Sequence, residues 1–303
     1  MDMALTYKRK KAFPEIAFDF FNYTMMILFA MSVFYPFYYC VMLSFNDGKD
    51  AQMGGIYFWP RVFTFENYLE VFKNPLIGIA AANSILRTVI GILTGVFFTA
   101  MFSYAVSRKN VVFRKFYMVF GLITMYFWGG LIPNYLVIRG IGLVDNFAVY
   151  ILPKMFSMFH ALILFSFFKT IPDSLEESAK IDGANDLLIF IRIIIPVSTP
   201  VIATIALFTG VAQWNEWLDT IIFTRKEGLQ TLSALLIKML NTIQFYETLM
   251  QTKENIYMKK MRGLTSNSFM LATMTVTAFP VIVLYPFLQK YFIKGLMIGS
   301  IKG

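Results

Sequence analysis

A short acidic stretch carries residue types that are suited to a docking contact. It reads Glu176-Glu177-Ser178-Ala179-Lys180-Ile181-Asp182-Gly183-Ala184, and Ile193-Ile194-Ile195-Pro196 begins ten residues after the glycine. Small residues beside two carboxylates allow a partner to approach closely next to a polar anchor. Gly183 can adopt the left-handed conformation that ends a helix. The spacing therefore predicts a short helix, a sharp stop and a second helix, a shape that serves docking rather than catalysis.

The residues around this stretch predict how its first helix begins. Ser174 followed by Glu177 fits a capping box, and Pro172 lies just upstream. Leu175, Ala179 and Ile181 would give the helix a small apolar face. An amphipathic connector that lies on a membrane surface is the alternative interpretation.

The chain offers little that supports catalysis or metal binding. It has one histidine, His160, and one cysteine, Cys40, so it has no Ser/His/Asp arrangement, no metal cluster and no intramolecular disulfide. No phosphate-binding G-x-x-x-x-G-K-[ST] loop is present, because Gly48-Lys49 is followed by Asp50. We predict no enzymatic activity and no cofactor here. If ATP drives this protein, another chain binds the ATP and its magnesium.

A second group of residues has the chemistry of carbohydrate binding. Gln213-Trp214-Asn215-Glu216-Trp217 combines aromatic faces for the C–H surfaces of a sugar with amide and carboxylate groups for its hydroxyls. Tyr126, Trp128 and Asn134 are further candidates. Because tryptophan and tyrosine are also enriched at membrane interfaces, a purely interfacial role is the competing interpretation.

Composition places these residues in a membrane protein. The chain is 57% hydrophobic, 17% aromatic and only 15% charged, which is too apolar for a soluble domain. Six runs of roughly 20 or more residues are each long enough to cross a bilayer as a helix. They cover residues 22–45, 81–106, 116–138, 147–168, 199–223 and 269–289. We predict an all-α membrane protein with six transmembrane helices and the acidic stretch in the loop 169–198, between the fourth and fifth.

Basic residues predict the orientation of these spans. Clusters at 8–11, 108–115 and 290–302 fall on one side of a six-span topology, and short basic segments mark the cytoplasmic side. Both termini and the loop 169–198 are therefore predicted to be cytoplasmic. The net charge of +9 is explained by a basic collar that faces anionic membrane lipids, so no nucleic-acid partner is needed.

Charged residues are absent from the middles of the predicted spans. Arg87, Lys154, Glu216 and Asp219 lie near the outer ends, where a side chain can snorkel to water or line a vestibule. Proton-driven carriers need ionisable groups near the midplane, so this pattern disfavours proton-coupled transport.

The acidic stretch resembles the EAA loop of ABC importer permeases, with Ser178 in place of the first alanine and Ile195 in place of the leucine of its I-x-L-P end. Other stretches are similar to the maltose-type carbohydrate importers, in particular the branch of lipoprotein-anchored complex-sugar systems. They cover residues 63–72, 129–146 and 295–303, of which the last resembles a tail that reaches into an ATPase dimer.

This resemblance implies the type I ABC importer permease fold and a division of labour among subunits. The chain would form half of a translocation pathway with a second, similar permease, two ATPase subunits would grip the EAA loops, and an extracellular binding protein would deliver the sugar. The implied ATPase-coupling residues are Glu176, Glu177, Ser178, Ala179, Asp182, Gly183, Ala184, Ile193 and Pro196. The implied ATPase-contacting tail residues are Gly299, Ser300, Lys302 and Gly303.

On this interpretation residues 1–20 are a cytoplasmic segment, residues 21–294 are the transmembrane domain in a bacterial plasma membrane, and residues 295–303 are a cytoplasmic tail. The predicted function is ATP-driven import of a carbohydrate, an oligosaccharide or polysaccharide fragment. A permease for a non-sugar solute would share the EAA loop, and a stand-alone carrier or channel is the rival from another class. The identity of the sugar stays open.

Overall fold

The computed structural model describes residues 13–51, 53–241 and 268–283. Within these ranges the secondary structure is helical, apart from one isolated antiparallel bridge between Asn46 and Phe63. The helices are α1 (Phe13–Ser44), α2 (Gly48–Ala51), α3 (Glu66–Lys73), α4 (Pro75–Ser107), α5 (Arg114–Tyr126), α6 (Leu131–Gly140), α7 (Met158–Phe168), α8 (Ser174–Ile181), α9 (Asp186–Ile189), α10 (Ile195–Val197), α11 (Thr199–Asn215), α12 (Leu218–Phe223), α13 (Leu232–Asn241) and α14 (Ser268–Val283).

Two of these helices are individually long and apolar enough to cross a membrane. They are α1, with 32 residues, and α4, with 33 residues. Three further pairs of helices meet the same criteria only when each bent pair is taken together, so the described residues supply up to five spans of this kind. Because α1 begins at Phe13, part of the predicted N-terminal segment 1–20 is already helical. The sixth predicted run coincides with α14 as far as Val283, and residues 284–289 lie outside the described ranges.

The third hydrophobic run does not form the single helix that was predicted for residues 116–138. Helices α5 and α6 meet there at 117°. Gly130, between them, has φ +92°, a conformation that favours glycine and cannot continue an α-helix. The runs 147–168 and 199–223 are also divided, the first into two 3₁₀ turns and α7 with a 46° bend and the second into α11 and α12.

The chain is organised as two compact units. Among the described residues, the first unit contains 13–51, 53–69 and 268–275. In it, the side-chain amide of Asn67 donates to the backbone carbonyls of Ser44 and Asn46, both at 2.9 Å. The Tyr68 hydroxyl lies 2.6 Å from the Ser44 hydroxyl. Part of the segment 63–72 therefore holds the C-terminal end of α1, whose last carbonyls have no partner within the helix.

Helix α4 is central to the second unit, where it packs against α7 and α11. Val96, Ala100 and Tyr104 of α4 belong to one buried apolar cluster with residues of α7, α9 and α11. Gly210 permits the close approach of α11, because a Cβ at that position would lie 2.8 Å from the Ile92 side chain. At 33 residues α4 is roughly 50 Å long, so it connects distant parts of this unit.

Candidate functional site

Helix α8 ends in the sharp stop that the sequence predicts. Gly183 has φ +84°, which confirms the expected left-handed conformation. The backbone N–H of Gly183 donates to the Lys180 carbonyl at 3.0 Å, and that of Ala184 donates to the Ala179 carbonyl at 2.9 Å. This pair of bonds is the Schellman motif, which satisfies carbonyls that the helix itself leaves unpaired. The turn is thus fixed by backbone geometry.

The predicted capping box at the start of α8 is wrong. Ser174 is the first residue of the helix, and the N-cap position belongs to Asp173, whose side chain makes no capping hydrogen bond. The Ser174 hydroxyl is therefore one position too late to accept the capping bond. Glu176 and Glu177 still lie in the first turn, where negative charge interacts favourably with the helix dipole.

An ionic contact and a side-chain cap hold the far side of the Gly183 turn. The Lys180 ammonium lies 2.9 Å from the Asp186 carboxylate, and this hydrogen bond raises the pKa of Lys180. The Asn185 side chain accepts a hydrogen bond from the Leu188 backbone N–H at 2.8 Å and so caps α9. The predicted helix, stop and second helix are therefore confirmed, and the Lys180–Asp186 ion pair connects α8 to α9 across the turn.

Beyond α9 the backbone forms a π-helical turn, Phe190–Ile194, before α10. Pro196 lies inside α10, and the 86° bend into α11 follows at Ser198. Pro196 therefore lies before the bend, and α11 starts at Thr199, where the predicted run 199–223 begins. Proline lacks an N–H and disturbs the regular helical hydrogen bonds before it, which accounts for the irregular turn at this point.

The nine predicted coupling residues divide into an outward and an inward group. Glu176 and Ala179 are buried, and the partly buried Ala184 and Ile193 pack against the same apolar cluster as Ala179. The exposed members are Glu177, Ser178, Asp182, Gly183 and Pro196. Ile181, predicted to join the apolar face of the helix, is 85% exposed. A docking partner would therefore meet the outward group together with Ile181.

Glu176 is held by Arg108, the residue at the C-terminal cap of α4. The same guanidinium lies 3.6 Å from the Asp173 carboxylate and 4.9 Å from the centre of the Tyr104 ring. Burial raises the pKa of the Glu176 carboxyl, and the positive charge of Arg108 opposes this shift. Glu176 therefore makes an internal contact, whereas Glu177 points away from the core.

A second polar network lies roughly 31 Å along α4 from Arg108. The fully buried Arg87 contacts Asp219 of α12 through two bonds, at 2.7 and 3.1 Å. It also donates to the Gln213 side chain at 3.1 Å. Lys154 bridges Glu216 and Asp219, with both distances 3.0 Å. Two cations thus face two carboxylates, so the network is neutral overall.

This network corrects one expectation and supports another. The predicted access of the Arg87 side chain to water is wrong, because protein encloses that side chain. Lys154 and Glu216 are about one-third exposed and line a cleft of about 280 Å³ together with Gln213. Ser157, His160 and Thr209 also contribute to its walls. The cleft presents hydroxyl, amide, ammonium and carboxylate groups, which are the donors and acceptors that sugar hydroxyls require.

The structure does not bring all the predicted sugar-contact residues together. Gln213 and Glu216 line the cleft, whereas Asn215 and Trp217 are exposed beside it. Tyr126, Trp128 and Asn134 are exposed near the α5–α6 bend. Trp214 is buried and donates its indole N–H to the Thr277 carbonyl at 3.0 Å.

Comparison with known proteins identifies the family. The chain is 34% identical over 286 residues to the polygalacturonan/rhamnogalacturonan transport system permease protein YtcP of Bacillus subtilis (strain 168), with 94% of this chain and 98% of that relative covered. The chain belongs to the permease family of carbohydrate ABC importers. It is thus a membrane-embedded transporter subunit rather than an enzyme. No protein-family model matches it.

Solved structures agree with this assignment. The permease matches a chain of a bacterial ABC transporter involved in the import of the acidic polysaccharide alginate with a TM-score of 0.83 and 27% identity, over 94% of this chain and 100% of that one. A bacterial alginate ABC transporter in complex with an alginate pentasaccharide-bound periplasmic protein matches with a TM-score of 0.52 and 16% identity, over 92% and 96% of the two chains. The second likeness supports the fold alone.

Sequence reasoning missed Arg108 and Tyr104 of the permease. Arg108 was interpreted only as part of a basic collar, and nothing in the local sequence pairs it with a glutamate 68 residues away. A usable signal existed for Arg87 and Asp219, because a cation and an anion within apolar runs are expected to pair in a membrane protein. The tail residues Gly299, Ser300, Lys302 and Gly303 lie outside the described residues, so their ATPase contact stays a prediction.

The buried position of Trp214 gives a testable prediction. Trp214→Phe in the permease should lower stability by about 1 kcal/mol, because the indole N–H that bonds Thr277 is lost. Sugar selectivity should stay unchanged, since the side chain is enclosed. Thermal unfolding and competition uptake measure the two effects. A changed order of preferred sugars would show that Trp214 acts on the pathway.

Proposed function

We propose that this permease forms half of the translocation pathway of an ATP-driven importer and that α8 is its coupling helix. In this arrangement both termini and the loop 169–198 face the cytoplasm of a bacterium. The six predicted spans, of which the first is 22–45 and the last 269–289, form the type I importer fold. The observation that carries the proposal is the rigid α8–Gly183–α9 turn, which leaves Glu177, Ser178 and Ile181 exposed. Its residue spacing matches the EAA loop.

The partners of the proposed complex follow from the same assignment. A second, homologous permease completes the pathway, two ATPase subunits bind ATP and magnesium, and an extracellular binding protein supplies the carbohydrate. The second alginate transporter, whose likeness supports the fold alone, was solved in complex with a periplasmic protein that holds an alginate pentasaccharide. This chain itself needs no cofactor, because its part is to change shape when the ATPases close.

We propose an acidic oligosaccharide or polysaccharide fragment as the substrate. Both the relative named for polygalacturonan and the alginate transporter handle polymers whose sugar units carry carboxylates. The cleft beside Lys154, Gln213 and Glu216 is the candidate contact surface in this subunit. Uptake of oligogalacturonides, alginate fragments and neutral oligosaccharides by cells with and without this permease tests the choice. Uptake of neutral fragments alone would overturn it.

The docking assignment is tested by charge reversal at Glu177. In Glu177→Lys we expect the amount of ATPase recovered with the tagged permease from native membranes to fall on the order of tenfold. The reversed charge replaces a favourable contact between α8 and the ATPase by a repulsive one. Glu66→Lys is the matched control, since Glu66 is an exposed carboxylate in the first turn of α3. It should leave recovery unchanged. Equal recovery in both variants would remove α8 as the docking helix.

A further inference from the structure

The end of α4 and both arms of the coupling loop form one packed joint. Arg108 contacts Glu176 and Asp173 at the start of α8. On the other arm, the ring of Phe190 stacks on Tyr104, with centroids 5.4 Å apart and planes at 24°. Ala179, Ile189 and Ile194 complete the contact in the same buried cluster as Ala100. Two separate parts of the loop thus meet the C-terminal turns of α4.

Buried charge makes this joint different from a simple apolar contact. Glu176 is 8% exposed and the Arg108 side chain 17% exposed, so neither is freely solvated. Separating them without replacement leaves a poorly solvated charge on each side, which is costly. Stacking of the guanidinium on Tyr104 further restricts its position. The joint therefore resists small rotations of α8 against α4.

We propose that Arg108 is a positioning residue of the transport cycle: by holding Glu176 to the C-terminal end of α4 it makes α8 and α4 move as one rigid body. This inference rests on the proposed coupling function of α8. A push on the exposed face of α8 then reaches the Arg87 network, since Arg87 belongs to the same helix as the Arg108 cap. The contact between Arg108 and Glu176 acts as an internal strut between α4 and α8, while the exposed Glu177 is available to the partner.

Distances between spin labels on the two ends of this body test the proposal. In a Cys40→Ala background, labels at the exposed positions 79 on α4 and 175 on α8 are measured by pulsed electron resonance in the reconstituted complex. We expect one narrow distance distribution that is the same without nucleotide and with ATP plus vanadate. In Arg108→Met the distribution should broaden or shift by several ångströms, because the strut is lost.

Three further variants decide between positioning and general structural damage. Arg108→Glu with Glu176→Arg should restore the narrow distribution, since the ion pair is rebuilt in reverse. Lys109→Met, which removes a neighbouring exposed cation whose ammonium lies 3.6 Å from the Asp173 carboxylate, should match the wild type. Glu176→Gln should broaden the distribution as Arg108→Met does. If Arg108→Met fails to assemble, recovery of assembly and of the narrow distribution by the reversed pair supports the strut, and failure of that pair overturns it.

Two further results would also overturn the proposal. The first is a wild-type distance that changes when ATP binds, because α8 would then hinge on α4. The second is an Arg108→Met distribution as narrow as that of the wild type. Failure of the proposed coupling function gives a different result. The ATPase would then be absent or ATP would have no effect, but the distance distributions of the wild type and Arg108→Met could still be compared without nucleotide.

Discussion

Gly183→Pro is expected to yield a permease that inserts in the membrane but no longer retains an ATPase. Proline fixes φ near −65°, whereas this position has φ +84°. It also lacks the N–H that donates to the Lys180 carbonyl. The turn must therefore open, which separates Lys180 from Asp186 and moves the exposed face of α8. We expect ATPase recovery and ATP-dependent uptake to fall by on the order of tenfold or more.

A graded series separates backbone conformation from side-chain bulk at this site. Apart from Gly183 itself and its two chain neighbours, no atom of the described residues lies within 4 Å of a Cβ built at this position, so the cost of Gly183→Ala is conformational, about 1–2 kcal/mol. Gly183→Asn should cost less, because asparagine tolerates the left-handed region. We expect ATPase recovery to decrease from the wild type through Gly183→Asn and Gly183→Ala to Gly183→Pro. Equal loss in Gly183→Asn and Gly183→Pro would instead mean that the partner touches the glycine directly.

The helix stop was predictable because its causes are local. A left-handed glycine, the small Ala184 after it and the acidic first turn of α8 all lie within nine residues, so sequence alone specifies their geometry. The capping box failed for an equally local reason, since a shift of one residue in the helix start removes it. Such shifts are common because helix ends fray and their first residue is defined only to within one or two positions.

Features that depend on distant residues were beyond sequence reasoning. The pairing of Arg108 with Glu176 needs the packing of α4 against α7 and the coupling loop, which no pattern at either residue indicates. The bend in the third hydrophobic run was missed because length and hydrophobicity do not report φ. Gly129-Gly130 was present as a signal, yet glycines are frequent within straight transmembrane helices.

The role of Trp214 shows how composition misleads at a membrane interface. Aromatic and amide residues in the cluster 213–217 predicted a sugar-binding surface. This prediction stays in place for Gln213 and Glu216, which line a cleft. Trp214, however, turns inward to bond Thr277. The same amphipathic ring suits a ligand, a lipid interface and a buried hydrogen bond, so residue type alone cannot choose among them.

Helix α4 connects the two polar sites in a way that neither site reveals alone. Its C-terminal cap holds the coupling loop through Arg108, and Arg87 in its first half holds α12 through Asp219. Gly91 lets the Gln213 side chain lie against α4, because a Cβ there would be 2.7 Å from that amide. A rotation of α4 must therefore disturb the ion network that borders the cleft. Coupling of the two sites follows if that network has two arrangements.

Loss of the Arg87 guanidinium is expected to be the most destabilising single change among these contacts. Arg87→Met removes the bidentate partner of Asp219, which is 7% exposed, and leaves the network with one cation, Lys154, for two carboxylates. Removing one partner of a buried ion pair costs about 3–5 kcal/mol. Thermal unfolding of the detergent-solubilised permease should shift down by on the order of 10 °C. Arg87→Lys should fall between, because an ammonium keeps the charge but not the two-pronged geometry.

Two comparisons assign this loss to the buried charge rather than to the missing side chain. Arg87→Met combined with Asp219→Asn should recover more than half of the lost stability, since the excess carboxylate is removed and Lys154 then balances Glu216 alone. Arg61→Met breaks an ion pair to Asp50 in which Arg61 is 47% exposed, and should cost no more than about 1 kcal/mol. If Arg87→Met unfolds at the wild-type temperature, Lys154 or water compensates Asp219 fully, and the network acts as a movable part of the pathway rather than a fixed support.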